Sequence, residues 1–114
     1  MIEKEEAVIE VHITYDLLPK SDPEAYSEWQ RKAIIPVMKR KGFVELRAHR
    51  NLLGSPHILL MMTWETLSDW AGFAESKDWM TLIEELGASL AAHIDIQIWG
   101  PSPVVPEPLR PPTK

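Results

Sequence analysis

The 114-residue chain contains no cysteine. Disulfides, thiolate metal sites and cysteine nucleophiles are therefore excluded. No stretch reaches the ~18 consecutive apolar residues that a membrane helix needs. The opening "MIEKEEAVIE" is acidic where a secretory leader would be basic, and no apolar run follows it. These absences point to a cytoplasmic protein off the membrane. Positive charge is also in short supply: the net charge is −5, which disfavours general binding to nucleic-acid phosphates. There is no phosphate-binding glycine loop, dinucleotide fingerprint or Ser-His-Asp arrangement. Asparagine occurs once, at Asn51.

What the chain does have is tryptophan. Three of its five lie in the stretch "MMTWETLSDWAGFAESKDWM" (61–80), with Phe73 among them. Its basic residues are concentrated too: seven of the twelve fall in residues 31–50. Within that run "KRK" (39–41) reads as a favourable match to a helix C-terminus.

Length gives one domain, large enough to bury a core without staples. Residues 7–15, "AVIEVHITY", alternate with period two and read as a strand. Ser21 or Asp22 can cap a helix over about 23–41, with Pro23 at its first position. Tyr26, Trp29, Ala33 and Val37 form its apolar stripe. Pro36 removes a backbone bond inside it, so a kink or a tightened last turn is expected. Gly42 suits the helix end. "FVELRAHRN" (43–51) and "HILLMMTWE" (57–65) read as a hairpin joined by a longer loop, the second strand central. Thr66 caps a short helix over 67–76. After a break at "SKD", a second helical segment carries Trp79, Leu82, Ile83, Leu86 and Leu90. "AHIDIQIW" (92–99) is the fourth strand. Six prolines in residues 101–114 exclude helix and central strand there, leaving extended, polyproline-like backbone.

This β-α-β-β-α-β order is α+β, a ferredoxin-like antiparallel sheet with strand order 4-1-3-2 and helices on one face. The covered face collects Ile9, Val11, Ile13, Val44, Leu46, Ile58, Leu60, Met62, Trp64, Ile94, Ile96 and Ile98. The open face collects Glu10, His12, Glu45, Arg47, His49, Leu59, Met61, Thr63, His93, Asp95, Gln97 and Trp99. Apolar residues on an uncovered sheet predict burial against a second subunit. His12, His49 and His93 share that face with Glu10 and Asp95. Such a set can bind metal, but only His12 and His93 would sit close, so no metal site is assigned.

The layout, with Trp64-Glu65, Trp70, Phe73, Ser76 and Trp79 after the third strand and "KRKGFVELR" before the second, resembles the antibiotic-biosynthesis-monooxygenase-like family. The resemblance spans about residues 7–99. It implies a homodimer closing a dimeric α/β barrel, with a ligand pocket in each protomer between sheet and helices. It also implies a cofactor-independent monooxygenase acting on an aromatic or polycyclic small molecule. The alternative is a non-catalytic small-molecule-binding or structural dimeric module. The family's haem-degrading branch carries an Asn on the first strand and a His in the segment corresponding to 78–92. This chain has neither, so haem degradation is not expected, and no cofactor is assigned.

These aromatics read singly as ordinary core; if the family's pocket is present, its expected walls are Tyr26, Trp29, Met62, Trp64, Trp70, Phe73 and Trp79. Oxygenation without a cofactor needs a base and groups to hold an anion. The candidates are Tyr15, Tyr26, His12 and His49. The two tyrosines fall on the helix-covered side, the two histidines on the open side. The tail reads first as disordered; the alternative is an arm across the partner subunit, with Val104, Val105 and Leu109 as anchors.

Overall fold

The computed structural model describes residues 8–112. Its elements run β1 (Ile9–Leu17), α1 (Pro23–Met38), β2 (Phe43–Arg50), β3 (Ile58–Trp64), α2 (Leu67–Ala74), α3 (Lys77–Ser89) and β4 (Ala91–Trp99). The sheet order is β2-β3-β1-β4, and every pairing is antiparallel. Ala7, placed at the first strand's start from sequence, lies outside the described residues.

Local signals explain the helix ends. Asp22 caps α1, its carboxylate accepting from the Glu24 N–H at 3.2 Å. Thr66 accepts from the Asp69 N–H at 3.0 Å, and Ser76 from the Trp79 N–H at 3.2 Å. Ser76 thus divides the 67–89 region into two helices. Pro36 tightens the end of α1: Lys39 and Arg40 donate to carbonyls three residues back, at Pro36 and Val37. The helix consequently stops at Met38, and "KRK" lies beyond its last turn rather than in it. Arg40 instead sits over the Phe73 ring, 5.4 Å from its centroid.

Helices cover one sheet face, and the core lies between the two layers. Val11, Ile13 and Tyr15 of β1 and Leu60, Met62 and Trp64 of β3 point into it. Two bulges alter the face assignments. Phe43 opposes Trp64 and Glu45 opposes Thr63, so Val44 is the extra residue and is 49% exposed. Phe43 takes the core position expected of Val44, its ring 5.4 Å from that of Trp64. In β4 the pairing slips between Asp95 and Ala92, and His93 adopts φ +59°. Ile94 packs against the core, whereas Ile96 and Ile98, further along this edge strand, remain exposed on the same side.

Among the described residues the opposite face carries no helix. Residues 100–112 form neither helix nor strand. Pro101 and Pro106 border a shallow depression with Val8, Glu10 and Trp99, which places the tail's first turn beside the start of β1. Val104, Val105 and Leu109 are exposed on the protomer.

Candidate functional site

Two aromatic groups occupy the core. Tyr15, Tyr26 and Trp29 form one, with the Tyr26 and Trp29 rings nearly parallel at 6.2 Å. Trp64, Trp70, Phe73 and Trp79, with Phe43, form the other, their neighbouring centroids 5.3–6.2 Å apart. Trp64 is fully buried, and its indole N–H has no partner among the described residues.

A cleft of about 90 Å³ lies between the groups. Trp29 lines it from one side, and Phe73 and Trp79 from the other. Ile13, Leu60 and Met62 of the sheet also reach it, with Ala33 and Val37 of α1. Gln30 and Ile34 on α1 and Leu46 and Ala48 on β2 complete the wall. Because β2 is an edge strand, the cleft opens between it and α1. Trp29 is fixed by its own N–H, which donates to the Leu82 carbonyl at 2.7 Å.

Of the walls expected from sequence, Trp29, Met62, Phe73 and Trp79 line this cleft. Tyr26, Trp64 and Trp70 do not; Trp64 and Trp70 pack behind Phe73 and Trp79. Ile13, Gln30, Ala33, Ile34, Val37, Leu46, Ala48 and Leu60 line it in addition to the walls expected from sequence. The signal was present for the helix: 30, 33, 34 and 37 share one face at three- and four-residue spacing.

None of the four candidate acid–base groups lines the cleft. The Tyr15 and Tyr26 hydroxyls bond each other at 2.6 Å. Burial pushes the Tyr15 phenol far above its ordinary range, and the bond to Tyr26 adds to this. Burial also raises Tyr26, partly offset by that bond. Neither phenol ionises near neutral pH, so neither is a ready base. His12 lies on the open face, bonded to Glu10 at 3.0 Å, with its ring 6.0 Å from Trp99. His49 is exposed opposite Leu59.

His12 and His93 do not approach each other as strand order alone had implied. His12 pairs with Gln97, four residues along β4 from His93. His93 reaches Asp16 instead, with Nδ1 3.0 Å from the carboxylate. Asp16 also accepts from Ser55 Oγ at 2.7 Å and from the His57 backbone N–H at 3.1 Å. The Ser55 hydrogen bond, foremost, holds the Asp16 carboxyl below its usual range. The cluster secures the hairpin loop and the β4 bulge to the end of β1. Ser55 donates to the carboxylate rather than to a histidine, so this is no nucleophile–base pair. Among the described residues no three His, Asp or Glu side chains gather as a metal-ligand set.

The fold is that of the antibiotic-biosynthesis-monooxygenase-like proteins. SnoaB, a cofactor-independent oxygenase from Streptomyces nogalater, superposes with a TM-score of 0.71 at 11% identity, over 89% of this chain and 99% of that one. A candidate antibiotic biosynthesis monooxygenase from Nitrosomonas europaea gives 0.66 at 15% identity, over 88% and 94%. A hydroxynitrile lyase from Passiflora edulis gives 0.69 at 9% identity, over 82% and 92%. No protein-family model and no curated protein matches the sequence. The monooxygenase-like fold therefore hosts more than one chemistry, and the site must supply the rest.

Proposed function

We propose that this monooxygenase-like chain is a cytoplasmic homodimer that binds a small aromatic molecule in the cleft between α1 and the sheet. The observation that carries this reading is the cleft itself. It is walled by Trp29, Met62, Phe73 and Trp79, and among the described residues no ionisable side chain lines it. Apolar walls with few polar groups are what small-molecule sites consist of. The dimer is supported by the sheet face that no helix covers among the described residues, where Leu59, Met61 and Trp99 lie among polar neighbours.

A second reading, cofactor-independent oxygenation of the bound molecule, is favoured by the names of two structural neighbours. The wall offers no base, so any substrate would have to ionise readily by itself. Oxygen uptake separates the readings. The purified chain is mixed with anthrones and quinols, without flavin or metal, and dissolved oxygen is followed. Enzyme-dependent uptake establishes the oxygenase. Saturable binding with no uptake establishes the binding module. Neither binding nor uptake, with single-ring ligands included, defeats both.

A further inference from the structure

The depth of each lining residue shows what the cleft can hold. Trp29, Val37, Met62 and Phe73 are almost fully buried and form its floor. Gln30, Ile34 and Ala48 reach solvent and form its rim.

Size sets the first limit. An engineered cavity of ~150 Å³ is enough to hold benzene, and sites for drug-sized ligands run to ~300–1,000 Å³. At about 90 Å³ this cleft accepts less than a whole ring below its rim. A single ring enters edge-first with part of it left at the mouth. A fused three-ring system would have to lift α1 off the sheet.

Polarity sets the second limit. The Trp29 N–H is already committed to Leu82, so it offers a ligand nothing. A hydroxyl pushed to the floor would meet apolar carbon and lose its water. It must therefore stay at the rim, where Ile34 and Ala48 carry no side-chain polar atom. Gln30 is the rim residue with both a donor and an acceptor, the pair a phenol's hydroxyl uses.

Resting on the small-molecule reading above, we infer that the cleft selects a single aromatic ring bearing one hydroxyl, with Gln30 as the specificity-determining residue. Polycyclic molecules are excluded by the small volume enclosed between α1, β2 and the floor.

The test uses the full chain and three probes: p-cresol, p-xylene and 9-phenanthrol, each titrated by calorimetry. The expected result is saturable p-cresol binding, about fivefold weaker p-xylene binding for want of one hydrogen bond, and no binding of 9-phenanthrol. In Gln30→Leu, p-cresol should fall to the p-xylene level while p-xylene affinity is kept, which also reports an intact cleft. Binding of 9-phenanthrol as tight as p-cresol overturns the size limit and leaves the binding reading standing. So does a p-cresol preference that survives in Gln30→Leu, for the role of Gln30. If none of the three probes binds, the binding reading falls, and this inference with it. The size comparison needs no variant, so it stands even if Gln30→Leu fails to fold.

Discussion

The hydroxyls of Tyr15 and Tyr26 lie 2.6 Å apart, joining the sheet to the first helix. Tyr15 is fully buried, so its oxygen has no access to water. Tyr26→Phe leaves that hydroxyl without a partner and should cost about 1–3 kcal/mol. Changing both residues to Phe removes the orphaned group as well. The double variant should therefore cost less than the two single changes together, by about 0.5–3 kcal/mol. Urea unfolding of the four proteins measures this directly. Strict additivity would mean that the bond contributes nothing.

The same pair makes stability sensitive to alkali. Burial holds the Tyr15 phenol protonated in the folded state well above its ordinary range. In the unfolded chain it ionises near pH 10. Below that pH both states keep the proton. Above it only the unfolded state loses it, so stability falls as pH rises, by about 1.4 kcal/mol per unit for this group. Tyr15→Phe should have a flatter stability profile between pH 9.5 and 11. Equal slopes in the two proteins would contradict the assignment.

Gly42 has φ +87°, and its carbonyl accepts from the Glu65 N–H at 2.7 Å. A Cβ at this position would overlap the Asp69 side chain, including its own Cβ. Gly42→Ala should therefore destabilise by about 1–3 kcal/mol from backbone strain, with the overlap adding to it. A melting temperature within a degree of the parent would show that the turn relaxes freely.

Met61 sits on the open sheet face, opposite both His12 and Arg47. Placing a charge there opposes burial against a second copy. Met61→Arg should halve the mass measured by light scattering and leave the far-ultraviolet spectrum unchanged. A parent that is already monomeric, or a variant that stays dimeric, removes the proposed interface.

Much of the fold is legible in the sequence because its signals are local. The Asp22 and Thr66 caps, the break at "SKD" and the period-two strands need only near neighbours in the chain. What failed was register. A single extra residue reverses which side chain faces the core, and the bulge at Val44 hands its place to Phe43. Nothing in "GFVELR" announces that bulge. The Asp16 cluster was equally hidden, since it joins residues up to 77 positions apart. In the tryptophan-rich stretch the sequence grouped Trp64, Trp70, Phe73 and Trp79 as walls of one pocket. It did not show that Phe73 and Trp79 would face a cleft while Trp64 and Trp70 pack behind them. That division depends on where α1 stands, with Gln30 and Ile34 forming the opposite lip.

The five indole N–H groups give the most direct test of the cleft as a ligand site. Each can be followed separately in a two-dimensional nitrogen–proton spectrum while p-cresol is added. The signals of Trp29 and Trp79, which line the cleft, should shift together and saturate at one affinity. That of Trp99, on the opposite sheet face, should stay still. Silent Trp29 and Trp79 signals, or a shift confined to Trp99, would contradict the account.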